Sequence, residues 1–398
     1  MNNYNIENTR NFLLSILIFT TILLLTVGVY FELNGIAIYI LVPLLSLISL
    51  SMDIKSLNSG NSEFYLFIIV IVLCFIAVFF ENIDYNNFIF SFNKLFIAFL
   101  ASYIPLGINK NNKLQNIFHI SYIVAILLII LLEIRDGNFS PTNSLAPTAD
   151  RDDFFFNANY YGYLCLFANF SLFYFHLKWR NLTTLILLIV IPLLFILLSF
   201  ATQSRAALIF IILANAVFWF WVYETKTKSQ LRSILKFVFL TSISIFLVRY
   251  AITFYETSAI KDRFAYTSED GRIDLISESL TVFLDHPFLG VGVGQFPNYS
   301  KTNQFSHNSI AEALSEHGLL IGGLILLILV LPLYKAYKFY WDQNKSPEVK
   351  LCLLFFGLFL LFNNFYVHYK TTISMLYFFL FVAYLNELRL KNNQEAIS

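Results

Sequence analysis

The stretch Gly271–Gly318, GRIDLISESLTVFLDHPFLGVGVGQFPNYSKTNQFSHNSIAEALSEHG, is the one long polar island in a chain built otherwise of apolar runs. The chain has 398 residues, 58% of them hydrophobic and 13% charged, with 45 Phe and a mean hydropathy of +0.68. A soluble fold could not cover that much apolar surface. The flanking runs are therefore read as membrane spans and the island as a water-facing loop, where chemistry is expected.

A bilayer core of about 30 Å takes about 20 apolar residues per helix, and by that measure the chain has roughly twelve candidate spans. They lie near 12–30, 35–51, 63–80, 88–106, 116–134, 158–176, 182–200, 205–222, 231–250, 318–337, 350–366 and 371–387. The fold class expected is an all-α polytopic membrane protein with one large outside loop carrying short amphipathic helices. The first run, Phe12–Tyr30, is long enough to span and lacks a small-residue cleavage site, so no cleavable signal peptide is expected.

Charge placement orients the spans. With the N-terminus inside, Arg10, Lys55, Lys110, Lys113, Lys178, Arg180, Lys226, Lys228, Arg232, Lys335, Lys338, Lys345, Lys350, Arg389 and Lys391 all fall in inside segments. The short outside loops are nearly free of Lys and Arg, and residues 81–87 carry Glu81 and Asp84 instead. This is the positive-inside asymmetry. It divides the chain into N-terminal helices and a first outside loop (1–157), helices leading inward (158–250), the large outside loop (251–317) and C-terminal helices (318–398). A net charge of +1 argues against nucleic acid. Cys74, Cys165 and Cys352 lie in apolar runs without ligand spacing and are read as small core residues.

Within the loop, Ile273, Ile276, Leu280 and Phe283/Leu284 share a helical face, capped from Ser268 or Asp270 and ended by His286-Pro287. This predicts an amphipathic helix on the outer membrane surface. Gly290, Gly292 and Gly294 alternate with valines, a pattern that serves either a flexible loop or close backbone approach to a ligand. No preceding strand supports a dinucleotide fingerprint there. His307-Asn308 opens a further helix, Ser309–His317, with Gly318 at its C′ position. Histidine suits proton removal near neutral pH, although a lone one is more often structural. On the same side stand Arg205, Arg272 and Arg249, against the charge rule and therefore functional candidates. A guanidinium fork suits phosphate. Glu312 and Glu316, four apart, are expected on a solvated helix face, with orientation of His307 or of the acceptor as the alternative. The loop carboxylates form no metal-ligand spacing, so neither metal nor cofactor is expected.

These motifs, in order, resemble the O-antigen ligase/polymerase family: Thr202-Gln-Ser-Arg205-Ala-Ala-Leu, Gly271-Arg272, Pro287-Phe-Leu-Gly-Val-Gly292, His307-Asn308 and Glu316-His-Gly318-Leu-Leu-Ile-Gly322. The likeness is densest over roughly 185–335. Asn157-Ala-Asn159 resembles an Asn-Pro-Asn segment of such proteins, with Ala158 in place of the proline. The resemblance implies a bacterial inner-membrane enzyme whose site faces the periplasm. It would move a glycan from undecaprenyl diphosphate to an acceptor hydroxyl, with inversion and without metal. His307 is then the expected general base, while Arg205 and Arg272 hold the diphosphate. Gln203, Ser204, Asn308, Asn159, Gly290, Gly292, Gly294 and Glu316 are expected to contact substrate. Expected partners are the lipid-linked donor, a glycan or lipid A–core acceptor, membrane lipids and a chain-length regulator. The acceptor decides between polymerase, the reading preferred here on the glycine run and a modest loop, and ligase. A lipid-linked glycan flippase is the rival of another class. It would need several ionisable residues at midplane depth, where this chain has Lys94 and Glu133.

Overall fold

The computed structural model describes residues 2–52, 61–79, 83–108, 111–140, 154–223 and 271–397. Every regular element among them is helical. The helices are α1 (Asn2–Thr26), α2 (Asn34–Met52), α3 (Ser62–Ala77), α4 (Tyr85–Ile108), α5 (Asn112–Arg135), α6 (Ala158–Trp179), α7 (Leu182–Ala201), α8 (Arg205–Val222), α9 (Gly271–Asp285), α10 (Ser309–His317), α11 (Gly323–Asp342), α12 (Pro347–Phe362) and α13 (Thr372–Ile397). Eleven of the expected spans fall on these helices. The twelfth, 231–250, lies outside the described residues, as do Arg249, Ser268, Asp270 and most of the first outside loop.

By length and apolarity, eight helices among the described residues can cross a membrane, one of them running from Ser309 through to Asp342. Helices α3 and α12 have 16 residues each, and α6 is not among the eight. Helix α6 is buried on nearly every face from Tyr161 to Leu177. That marks a central position, since a helix apolar all round is enclosed by others. Aromatic rings make the contacts around it. Phe173 stacks on Phe218 of α8 at 4.0 Å, and Phe167 on Tyr377 of α13 at 4.6 Å. Small residues allow the closest approaches. A Cβ on Gly107 of α4 would lie 2.7 Å from the Ser49 carbonyl of α2, and one on Gly162 of α6 would lie 2.8 Å from Ala207 of α8. All three cysteines are buried and unbridged.

Chain reversals are set by polar caps at the helix starts, which satisfy N–H groups that no helical partner reaches. Asn111, Asn157, Asn181, Ser204, Asn308 and Ser346 each accept from a backbone N–H in the first turn that follows. At one end of the bundle, Lys178 Nζ lies 2.8 Å from Asn116 Oδ1, and Lys335 pairs with Glu63 at 2.7 Å. At the other end stand the starts of α4, α6, α8, α10 and α13. Helix α9 lies across this second end. Ser279 donates to the Ala311 carbonyl at 2.8 Å, while Leu275 and Val282 pack on Val291 and Phe296. The face of Ile273, Leu280 and Leu284 turns away from the protein, as an interfacial helix requires.

Candidate active site

Asn308 caps α10 by accepting from Ile310 N and Ala311 N, at 2.9 and 3.0 Å, so His307 immediately precedes a helix N-terminus. His307 holds a left-handed backbone, φ 54°, which is uncommon for a residue with a Cβ. Its side chain lines a cavity of about 170 Å³ together with Ser91 and Lys94 of α4, Glu312 of α10, and Tyr366 and Lys370 of the α12–α13 loop. That loop is bound to α10. Ser309 N donates to the Asn363 carbonyl at 2.8 Å, and Ser309 Oγ donates to the Tyr366 carbonyl at 2.8 Å.

Burial lowers the His307 pKa below its ordinary value, and the charge of Arg272 lowers it further; Glu312 opposes them. The imidazole is therefore biased towards its neutral form, the one that accepts a proton. The same interaction sets Arg272, on the first turn of α9, in electrostatic reach of His307.

Glu312 and Glu316 correct the expectation of a solvated face. Their relative exposures are 1% and 0%, and both bond to Lys370 Nζ, Glu312 at 2.9 Å. Burial alone would lower the Lys370 pKa, but the two carboxylates hold it above the ordinary lysine value, so it stays cationic. Two acids four apart do share a helix face; here that face meets an ammonium instead of water. Lys370 escaped the sequence reading, although it was visible there as a lysine in an outside loop, against the charge rule.

The glycine run is buried and packed against protein. Val291 N and Gly292 N donate to the Ser315 and Glu316 carbonyls, each at 2.9 Å. Gly290 and Gly294 both have φ 75°. A Cβ on Gly290 would lie 2.5 Å from the Glu316 carbonyl oxygen, and one on Gly294 2.6 Å from that of Asn87. The close approach of these glycines is made to α10 and α4, where the expectation was a ligand.

Several other expected contacts have protein partners. Asn308 Nδ2 lies 3.3 Å from Asn364 Oδ1, and Asn159 Nδ2 donates to the Phe365 carbonyl at 3.2 Å. Ser204 Oγ accepts from Ala207 N at 3.3 Å, after a turn in which Gln203 takes φ 52°. Arg205 is the first residue of α8, at the same end of the bundle. Gly162 packs the start of α6 on the start of α8, and Phe210 of α8 meets the ring of Phe365. Arg205 is thereby tied through these neighbours to the loop that carries Lys370. It is absent from the lining of the cavity. Among the described residues, no three of His, Cys, Asp and Glu converge as a metal-binding group.

Fold and site together define a multi-pass helical membrane protein with a charged, histidine-bearing cavity at one end of its bundle. The family model described as O-antigen ligase matches residues 188–328, a segment that contains Arg205, Arg272 and His307. A ComP-specific O-oligosaccharyltransferase of Acinetobacter baylyi is 26% identical over 313 residues, covering 71% of this chain and 54% of that protein. The chain thus spans about half the length of this curated relative. Over the matched segment the chain is similar to the O-antigen ligase family, and the relative points to the same kind of glycan-transferring membrane enzyme.

Proposed function

We propose that the cavity around His307 transfers a glycan from a lipid diphosphate to an acceptor hydroxyl on the periplasmic side of a bacterial inner membrane. The observation that carries this reading is the placement of His307. It lies at the cavity wall, biased towards neutrality, within the field of Arg272 and at the bundle end that also holds Arg205. The donor is an undecaprenyl-diphosphate-linked oligosaccharide or polysaccharide. The acceptor oxygen forms a bond to the anomeric carbon as the bond from that carbon to the phosphate oxygen breaks. His307 takes the acceptor proton, and the lipid diphosphate leaves with the electron pair. A single displacement of this kind inverts the anomeric centre.

Arg272 and Arg205 stabilise negative charge on the leaving diphosphate. Pre-positioned cations aimed at developing charge are commonly the largest catalytic contribution. With two guanidinium groups in that role, the reaction is assigned as metal-independent. Gly290, Gly292, Gly294, Asn308, Gln203, Ser204 and Asn159 shape the site through the packing and caps described above. Glu316 acts from behind the cavity wall through Lys370.

The acceptor divides two readings. The matches, an O-antigen ligase family and an O-oligosaccharyltransferase, favour ligase-type transfer of a finished glycan onto lipid A–core or another acceptor. The polymerase reading, drawn from the glycine run and a modest loop, stands second. Purified protein in lipid vesicles, given the lipid-linked glycan, should release undecaprenyl diphosphate only when acceptor is added. Donor left intact with every acceptor glycan offered would overturn the proposal, as would loss of transfer on chelation, restored by a divalent ion, for its metal-free part.

A further inference from the structure

We propose that Glu312, anchored by Lys370, is the positioning residue for His307, locking the left-handed turn that presents the imidazole to the cavity. The inference rests on the reading of His307 as general base and names what makes that base effective. One Glu312 oxygen accepts from both Ser306 N and Ser306 Oγ, each at 3.2 Å. The other accepts from Lys370 Nζ at 2.9 Å. The single Ser306 hydroxyl proton is shared between the Glu312 carboxylate and the Asn308 carbonyl, 2.9 Å away, while Asn308 N donates to Ser306 Oγ at 3.3 Å. The residues on both sides of His307 are thus tied to one carboxylate, while His307 itself bears the unfavourable φ of 54°.

Such strain persists only where the surroundings over-determine it. Ser306 and Glu312 are 0% and 1% exposed, so solvent does not compete for these bonds. Lys370 supplies the compensation that a buried carboxylate needs, since an unpaired one would be expelled or neutralised. Its second bond, to Glu316, extends the tie to the glycine segment, since Gly292 N donates to the Glu316 carbonyl at 2.9 Å. One ammonium therefore joins the α12–α13 loop, α10 and the glycine segment behind the histidine.

Glu312 also acts on His307 through charge. The charged groups sharing the cavity or its field are Lys94 from α4, Arg272 from α9, Glu312 from α10 and Lys370 from the α12–α13 loop. Of these, Glu312 is the anion facing His307, and it raises the imidazole pKa against Arg272. Loss of its charge should move the His307 titration to lower pH, an effect that a purely structural defect would not produce.

The test uses full-length protein in lipid nanodiscs with ¹³C-labelled histidine, the His307 signal being assigned by its loss in His307→Ala. In Glu312→Gln, kcat should fall roughly 10- to 100-fold, the cost of a catalytic group misplaced by about an ångström. KM for the donor should change little, and the His307 titration midpoint should move down. Ser306→Ala is the gentler companion. It leaves the ion pair intact and should lower kcat less, with an unchanged melting temperature and an unmoved midpoint. A midpoint that stays in place in inserted Glu312→Gln overturns the proposal whatever its activity. Wild-type kcat in both variants overturns it as well. Should His307→Ala itself keep wild-type activity, the base assignment fails, while the midpoint shift still decides whether Glu312 controls the imidazole.

Discussion

At the residue scale the account rests on opposite demands placed on three side chains. His307 must accept a proton, and burial together with Arg272 keeps it neutral to lower pH than an ordinary histidine. The rate should therefore rise with pH through that lowered value and level off above it. The acid limb of kcat/KM should lie below about 6.5, the unperturbed histidine value. An acid limb above 7 would mean that another group titrates. Arg272→Ala and Arg205→Ala should each nearly abolish transfer with normal membrane insertion. Arg→Lys should rescue either poorly, because an ammonium lacks the two-pronged contact that a guanidinium makes with phosphate. Full activity in the Arg205→Lys and Arg272→Lys variants would show that only point charge is needed.

At the element scale, the glycine run and the cap of α10 hold the site in shape. Gly290→Ala and Gly294→Ala place a Cβ at φ 75° and within about 2.6 Å of backbone oxygen. Overpacking of this kind costs about 1–3 kcal/mol, so each variant should melt at lower temperature. An Asn308→Ala variant loses a cap worth about 1 kcal/mol. Thermal unfolding in detergent reads all three, and unchanged melting of Gly290→Ala would contradict the packing described. The motifs were legible in the sequence, but their partners were not. His307 at a helix start, Gly318 as helix terminator and the amphipathic pattern of α9 follow from local rules. The burial of Glu312 and Glu316 depends on Lys370, more than fifty residues further along the chain, and no local spacing reveals such a pairing. For the same reason the glycines looked like a loop open to ligand, since the carbonyls of α10 that they approach come later in the chain.

At the scale of the whole molecule, hydropathy and charge carried most of the information. Eleven of the expected spans coincide with helices because each is a separate apolar run, and the proposed orientation rests on where lysine and arginine gather. Cysteines placed at Thr302 and Gln343 test that orientation. In intact spheroplasts, an impermeant thiol reagent should label the first and not the second; the reverse pattern would put the site on the cytoplasmic side. Deletion of the gene separates the two acceptors. The ligase-type reading predicts bare lipid A–core with glycan accumulating on undecaprenyl diphosphate, whereas a polymerase would leave core bearing a single repeat unit. The central claim, that the cavity at His307 performs the transfer, is tested most directly by single-turnover transfer from a labelled lipid-diphosphate glycan in purified His307→Ala. A positioned base contributes about 10²–10⁴-fold, so the variant should bind donor normally and transfer it slower by at least about 100-fold. Transfer at the wild-type rate would contradict the account.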